Sequence, residues 1–472
     1  MARKQSVKNV LAHAADRRWG DVLTDTADVE ALANRPALIP VRIEAALEAG
    51  DDTELARTLD VAERLPLRPE LRYAAIRPLL KFGRPADAWR VLSTKDSVTA
   101  HHRYGQQARK VLAYARHDGA LADTIRDALR TLEGPEVEPL QSSFAFQPPP
   151  GLADRALGRV AITGSSAVDP KHVAGLSLAR DRFLRRLTEP HEPGVSEYHN
   201  VFVDPTGQIW TEDGSIVVTT GRPMLRVDRA ACPNFDVALP ALRGTRGIYH
   251  WLVDILPHLA LLGPQQNLPV LIGAHGPHFE RESMEFAGLS DTVVVPISGT
   301  VFVRRLVVPS VGLAGLRHWR LTGGLFERMA ARASEMAAAA GFSCPERIYI
   351  SRRDSARRPL ANEAEVEATL RQRDYGIVLM SQMPLWQQIA LASRATTIVA
   401  PHGAGLSHLM FCREGTRVVE LLPIMDGSYA LRFNYARLAL ALGYEYHAWL
   451  EPQLPRTDRW SLCLDDIPEG LF

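Results

Sequence analysis

A glycine-containing segment, His402-Gly403-Ala404-Gly405, is the first stretch of this chain whose residue types could do chemistry. It directly follows an apolar run typical of a buried strand and precedes a helical pattern. Glycines let a ligand approach the backbone closely, and the free N–H groups at the start of a helix attract anions such as phosphate. Because a short glycine motif is weak evidence on its own, a tight turn that binds no ligand is the alternative.

Three arginines follow another predicted strand: Arg352, Arg353 and Arg357. Open α/β sheets bind ligands where their strands end, so these cations and the glycine segment would share one site. A basic turn alone is more often a solvated surface. Together with a helix N-terminus, however, guanidinium groups suit a polyanion such as a nucleotide diphosphate, and they would stabilise it without a metal ion.

A histidine and a carboxylate, His250 and Asp254, form the second candidate site. Their spacing places both on one face of a predicted helix. Side chains of these types act as general bases when they lie within hydrogen-bond distance of a proton. The alternative is a buried pair that only stabilises a core helix, and the sequence does not tell which of the two would accept the proton.

Alternating apolar runs and helical patterns must position these groups. The predicted strands are Ile348–Ser351, Ile377–Leu379, Thr397–Ala400 and Arg417–Leu421, with amphipathic helical patterns between them. This alternation predicts a parallel sheet covered by helices on both faces. Upstream, short apolar runs bounded by glycine or proline predict a second α/β region.

The order of several motifs resembles glycosyltransferase family 61. These motifs are RIYISR, an arginine-rich turn, NE at a helix start, QQIALASRATTIVAPHGAGLSHLMF and VVELLP, and upstream GIYHWL with DILP. The resemblance covers roughly residues 155–450. It implies an α/β fold with two Rossmann-like halves in the GT-B arrangement and a nucleotide-sugar donor. It further implies transfer of a hexose or pentose with inversion at the anomeric carbon, without a metal cofactor, and in bacteria a role in surface polysaccharide such as capsule.

The resemblance also assigns roles to the candidate residues. His250 or Asp254 would take the proton from an acceptor hydroxyl as that oxygen attacks the anomeric carbon. The donor-binding set would comprise Arg352, Arg353, Arg357, His402, Gly403, Ala404, Gly405 and Glu420.

Glu420 stands out in this set because it lies inside an otherwise apolar predicted strand. A buried carboxylate without a partner is unfavourable, so it must be paired or functional. The resemblance favours hydrogen bonds from the ribose hydroxyls of the donor. An internal salt bridge is the alternative.

Four segments are predicted along the chain. Residues 1–140 show apolar spacings of three and four residues and a repeat of about 34 residues, which is typical of tetratricopeptide-like helix pairs. Residues 141–154 form a proline-rich linker, residues 155–322 the acceptor-side half and residues 323–472 the donor-side half. The helical repeats would dock a protein partner or a second copy of the chain, or would simply pack as a cap.

The composition disfavours several classes of protein. A formal net charge of +1 argues against a nucleic-acid-binding protein. Four widely spaced cysteines match neither a zinc motif nor a small disulfide framework, and they suit a reducing compartment. The N-terminus lacks a signal-peptide pattern and no apolar run approaches a transmembrane span, so we expect a cytoplasmic protein, or one peripheral to the inner membrane.

We therefore predict a glycosyltransferase that needs no cofactor and moves a sugar from a nucleotide-sugar donor to a glycan, protein or lipid-linked acceptor. Two alternatives remain. Helical repeats beside a degenerate transferase domain would form a non-catalytic scaffold that binds no nucleotide sugar. Another sugar-nucleotide enzyme, such as an epimerase, is disfavoured because no GxGxxG segment follows a strand near the start of either α/β half.

Overall fold

The chain forms two compact units in a computed structural model. One unit comprises Met1–Glu138 with Gln208–Asp228, and the other comprises Pro139–Gly207 with Arg229–Phe472. The structure describes residues 2–93, 104–115, 118–133, 139–141, 152–218, 220, 227–242, 247–261, 268–289, 293–310, 313–424, 433–453 and 459–472. Most of the predicted linker at residues 141–154 lies outside these ranges.

The first unit is largely helical, as predicted. Its α-helices are Ala2–Ala15, Trp19–Asp25, Ile39–Ala49, Asp52–Arg64, Pro69–Lys81, Pro85–Ser93, Tyr104–Tyr114 and Gly119–Glu133. Gly50 and Gly83 follow two of these helices in the left-handed conformation, at φ of 67° and 70°, which glycine adopts without steric strain. Asp51 then caps the next helix by accepting a hydrogen bond from the Glu54 N–H at 3.0 Å.

The helices of this unit share an apolar core. Ile43, Leu59 and Ile76, from three successive helices, are almost completely buried in it. A short hairpin of Ile209–Thr211 and Ile216–Val218 belongs to the same unit. The predicted helical region is therefore present with a core of its own, and its arrangement as tetratricopeptide-like pairs stays a prediction.

The second unit contains a mixed sheet and a parallel sheet. The strands of the mixed sheet run in the order Leu140–Gln141, Gly194–Val203, Val301–Ser310, Asn234–Pro240, Val270–Gly273 and Val294–Ile297. Gly194–Val203 pairs antiparallel with Val301–Ser310, whereas the neighbours beyond are parallel. The second α/β region predicted upstream therefore contains both antiparallel and parallel strands, and a Rossmann-like half here stays a prediction.

The parallel sheet contains all four strands predicted around the glycine segment. Its order is Gly376–Val378, Arg347–Ile350, Thr397–Pro401, Arg417–Ile424, Glu445–Pro452 and Arg159–Gly164. The last strand corrects the predicted segments. Arg159–Gly164 lies in this sheet, whereas the sequence assigned residues 155–322 to the other half. Arg159–Gly164 pairs with Glu445–Pro452, which is almost 300 residues away, so no local pattern could reveal this partner.

Helices cover the sheets of the second unit. They are Pro170–Thr188, Ile248–His250, Leu256–Leu261, His278–Phe286, Trp319–Ala339, Glu363–Arg371, Leu385–Arg394 and Asn434–Leu442. Apolar strand residues such as Ile348 and Val418 are fully buried beneath them. Among the described residues, no helix is long and apolar enough to cross a membrane.

Candidate active site

The carboxyl ends of two neighbouring strands bring Arg352 beside the glycine segment. Arg347–Ile350 and Thr397–Pro401 are parallel neighbours, and the chain leaves both at the same edge of the sheet. There the Arg352 guanidinium donates a hydrogen bond to the carbonyl oxygen of His402. The shared site predicted for the arginine turn and the glycine segment therefore has a direct contact at its centre.

Arg352 also organises its own loop. Its Nη2 donates to Ser355 Oγ at 2.7 Å and to the carbonyl oxygen of Arg357 at 3.0 Å. Burial lowers the pKa of Arg352, and the nearby charge of Arg358 lowers it further. Three of the five guanidinium N–H groups are thus used internally, which leaves two for a ligand.

The glycines of the segment are required for close packing. Gly403 has extended backbone, at φ of −179°, so its conformation suits any residue. A Cβ atom at Gly403, however, would lie 2.2 Å from Arg352 Nη1, and one at Gly405 would lie 2.7 Å from Ile350 Cγ2. The glycines therefore form a tightly packed turn, because their small size lets Arg352 reach the segment.

A cavity of about 240 Å³ opens at this edge of the sheet. Its lining residues are Ile248, Ile350, Ser351, Arg352, Asp354, Ser355, Met380, Ser381, Gln388, Ala404, Gly405 and His408. Of the predicted donor-binding residues, Arg352, Ala404 and Gly405 line it. The lining of the cavity therefore combines one cation, a short backbone segment and several polar groups with the apolar side chains of Ile248, Ile350 and Met380.

Glu420 and His402 form an interior pair instead of lining this cavity. His402 Nδ1 lies 2.5 Å from Glu420 Oε1, and the Tyr446 hydroxyl donates to Glu420 Oε2. Glu420 has no exposed surface and His402 is 8% exposed. The predicted ribose contact is therefore corrected, because each carboxylate oxygen of Glu420 has a partner inside the protein and neither is exposed. This arrangement agrees with the alternative of an internal pair.

The other two predicted arginines lie outside the cavity lining. Arg353 donates to Glu367 Oε2 at 3.1 Å, and Arg371 donates to the same oxygen at 2.8 Å. Arg357 is exposed and contributes its backbone carbonyl to Arg352. In this structure Arg352 is thus the only one of the three predicted arginines that lines the cavity.

A further carboxylate, Glu363, organises the strand end. Its Oε1 accepts from the Arg352 N–H at 2.5 Å and from the hydroxyls of Ser351 and Tyr349, each at 3.1 Å. Burial raises the pKa of Tyr349, so its hydroxyl remains a donor. The NE pair at a helix start was the available signal, but it does not reveal which backbone the carboxylate reaches.

His250 and Asp254 are hydrogen-bonded to each other, as their spacing suggested. His250 Nδ1 lies 2.7 Å from Asp254 Oδ2. Asp254 lies in the turn Trp251–Ile255, which is π-helical, a distortion frequent at functional sites, and His250 directly precedes this turn. The His250 side chain is 36% exposed and that of Asp254 14% exposed. Asp254 can therefore orient the imidazole, and part of the His250 side chain is open to solvent.

Two tyrosines connect the two candidate sites. The Tyr249 ring packs edge-to-face against His250 and against Tyr435, with ring centroids 5.3 Å and 5.6 Å apart. The Tyr435 ring lies 5.4 Å from that of His402. Burial raises the pKa of Tyr435. Residues that are far apart in sequence thus form one continuous aromatic contact between the proposed base and the glycine segment.

A larger cavity, of about 570 Å³, contains none of the predicted site residues. Arg155 and Trp319 line it, with the guanidinium stacked 4.6 Å from the indole ring. Cys412 also lines it, but burial raises the pKa of this thiol to about 12, so it is not a reactive thiolate. Within the described ranges, no three His, Cys, Asp or Glu side chains are grouped to hold a metal ion.

Comparison with known proteins identifies the class of domain that this site belongs to. The family model described as Glycosyltransferase 61 matches residues 248–419, so the chain carries a domain of that family. The match includes Ile248, the His250–Asp254 pair and the whole lining of the smaller cavity.

A similar protein is the EGF domain-specific O-linked N-acetylglucosamine transferase of Drosophila melanogaster. The two sequences are 32% identical over 109 residues. The aligned region covers 22% of this chain and spans only 20% of that protein. The similarity therefore concerns only a small part of each protein.

Proposed function

We propose that this protein is an inverting, metal-independent glycosyltransferase that moves a sugar from a nucleotide-sugar donor to a glycan or protein acceptor. The observation that carries the proposal is the cavity at the strand ends, lined by Arg352 and Gly405, inside the matched family domain. A cation and free helix N–H groups at such an edge suit the diphosphate of the donor.

In this proposal the His250–Asp254 pair is the catalytic base. Asp254 holds the Nδ1–H of His250, and the opposite nitrogen takes the proton of an acceptor hydroxyl. That oxygen forms a bond to the anomeric carbon from the face opposite the leaving group. The bond between the anomeric carbon and the diphosphate oxygen breaks, and its electron pair leaves with the nucleoside diphosphate. One displacement inverts the configuration.

The leaving group needs positive charge, and Arg352 supplies it here. Its two remaining N–H groups and the first N–H groups of the segment Ala404–Phe411 are available to the diphosphate oxygens. Removing one such donor from a preorganised site lowers the rate by about 10²–10³-fold. Arg353 and Arg357, which the sequence placed in this set, act at most from the edge of the site.

The biological setting is part of the proposal. The resemblance of the chain to the family, whose bacterial members mostly act on surface polysaccharide, supports such a polysaccharide as the product, with a glycan or lipid-linked acceptor. The helices of the first unit would dock a protein partner or a second copy. A position in the cytoplasm, or at the inner face of the membrane, would give access to nucleotide sugars.

The test is a turnover assay on the full chain with a panel of nucleotide sugars. The panel includes UDP-N-acetylglucosamine, UDP-glucose, UDP-xylose and GDP-mannose, and product configuration is determined by NMR. Arg352→Ala should lose turnover, whereas Arg353→Ala should keep it, because Arg353 pairs with Glu367 outside the cavity. Turnover of Arg352→Ala at the wild-type rate, or product with retained configuration, would contradict the proposal.

A non-catalytic scaffold is the second candidate, and the separate helical core of the first unit favours it. Isothermal titration with the same panel separates the candidates, because a scaffold with a degenerate transferase domain should bind none of the nucleotide sugars. Formation of an isomeric nucleotide sugar without an acceptor would instead identify an epimerase.

A further inference from the structure

The cavity at the strand ends contains a buried histidine that the proposed mechanism does not use. His408 is 2% exposed and lines the cavity. Its Nδ1 lies 3.0 Å from the carbonyl oxygen of Gly405. A carbonyl oxygen only accepts hydrogen bonds, so Nδ1 carries the proton. The other ring nitrogen, Nε2, is buried and has no hydrogen-bond partner among the described residues.

The protonation state of His408 decides what Nε2 can bind. Burial lowers the pKa of His408 to about 4, so the ring is neutral at pH 7. With the proton on Nδ1, Nε2 offers only a lone pair. Buried acceptors in folded proteins are nearly always satisfied, and an exception calls for an explanation such as a missing ligand. A group that satisfies Nε2 must present an O–H or N–H.

The remaining polar lining is also rich in acceptors. Asp354 lies at the cavity and accepts a hydrogen bond from the hydroxyl of Ser381. Gln388 uses one amide N–H to donate to the carbonyl of Met383 at 2.8 Å, which leaves its amide oxygen as an acceptor beside the second N–H. A phosphate in this cavity would meet the carboxylate of Asp354, which is exposed at the cavity, and the lone pair of His408 Nε2. A ring with several hydroxyl groups would be complementary to them.

The size and position of the cavity indicate which part of the donor it holds. A volume of about 240 Å³ is below the range of about 300–1,000 Å³ that is usual for ligand pockets, so it suits one substituted ring better than a whole nucleotide sugar. Ile248, on its wall, lies two residues before His250, the proposed base. The ring closest to the base is the sugar that is transferred, whereas the nucleobase lies at the other end of the diphosphate.

We propose that this cavity binds the sugar of the donor and that Nε2 of His408 accepts a hydrogen bond from one of its hydroxyl groups. This inference rests on the proposed function and adds a specificity-determining contact to it. Arg352, at the mouth, then meets the diphosphate, while Ile350 and Met380 contact the apolar face of the sugar ring.

The test compares donor and nucleotide binding in the full chain by isothermal titration. The probes are UDP-N-acetylglucosamine and UDP, with the GDP-mannose and GDP pair as a second set. His408→Phe should weaken binding of the nucleotide sugar by about 10- to 100-fold and leave binding of the free nucleotide unchanged. His278→Phe is the matched control, because that side chain is 89% exposed on another helix, and it should change neither.

Deoxy donors identify the hydroxyl. One of the 3-, 4- and 6-deoxy analogues should bind to the wild type as weakly as the unmodified donor binds to His408→Phe. The affinity of the same analogue should not fall further in the variant. His408→Asn is the second variant, since it can keep the bond to the Gly405 carbonyl but is too short to place an acceptor at the Nε2 position.

The outcomes separate the two proposals. If UDP and UDP-N-acetylglucosamine weaken equally in both His408 variants, the cavity does not hold the sugar and this inference is wrong while the proposed function stands. The same conclusion follows if every deoxy analogue loses affinity equally in wild type and variant. If wild type binds neither the free nucleotides nor any nucleotide sugar, the proposed function fails, and this inference fails with it.

Discussion

Replacing Glu420 distinguishes an interior pair from a ligand contact. In the structure Glu420 has no exposed surface, and it accepts from His402 Nδ1 and from the Tyr446 hydroxyl. Glu420→Ala leaves two buried donors without an acceptor. Each unsatisfied donor destabilises by about 1–3 kcal/mol, so we expect a loss of about 2–6 kcal/mol. In a unit of this size the melting temperature falls by about 2 °C for each kcal/mol of lost stability, so we expect a decrease of about 4–12 °C.

Conservative variants sharpen this prediction. Glu420→Gln keeps one acceptor oxygen for one of the two donors, so the loss should be about half as large. Glu445→Gln, at an exposed position on a neighbouring strand, is the control and should change stability by less than about 0.5 kcal/mol. Melting is followed by differential scanning calorimetry, because the two units of the chain need not unfold together.

The same variants are titrated with the free nucleotide. The interior-pair interpretation expects Glu420→Gln to lose stability while retaining most of its nucleotide affinity. A variant that melts with wild type but binds nucleotide tenfold or more weakly would refute the reasoning. That result would restore the ribose contact predicted from the sequence.

Four further predictions concern the site. Because the pKa of His408 is about 4 when folded and about 6.5 when unfolded, the unfolded state binds more protons between these values. The free energy of unfolding therefore decreases as pH falls below 6.5, by about 2 kcal/mol at pH 5. His408→Phe should lack this contribution to the decrease, which calorimetry at pH 7 and pH 5 measures. Gly403→Ala places a Cβ against Arg352 and should weaken nucleotide binding, whereas Gly324→Ala, with its nearest neighbour at 3.5 Å, should not. His250→Ala should lower kcat by about 10²–10⁴-fold with nucleotide affinity unchanged, and an unchanged kcat would remove it as the base. Turnover should persist in excess EDTA, and a strict need for an added divalent cation would contradict the metal-independent mechanism.

Much of the fold was predictable because its pattern is local. The strands around the glycine segment appear as short β-branched runs, and the helices between them appear as three- and four-residue apolar spacings. The same reasoning located the N-terminal helices. It did not find the Arg159–Gly164 strand in the parallel sheet, because pairing with Glu445–Pro452 depends on the packing of distant segments.

The candidate site was likewise predictable only in part. Residue type and spacing were enough to select Arg352, the glycine segment and the His250–Asp254 pair. They were not enough to show that Arg353 is engaged by Glu367 or that His408 has an unsatisfied nitrogen. A sequence motif names the residues at a strand end, whereas the direction of each side chain depends on what packs against it.

The amino-acid sequence by itself indicated the resemblance to a transferase family, the alternation of strands and helices, and the residues from which a transferase site could be built. The tertiary structure alone decided which of them share a cavity. Glu420 illustrates the physical reason: a carboxylate in an apolar strand must find partners, and only the three-dimensional arrangement of His402 and Tyr446 shows that it finds them inside the protein.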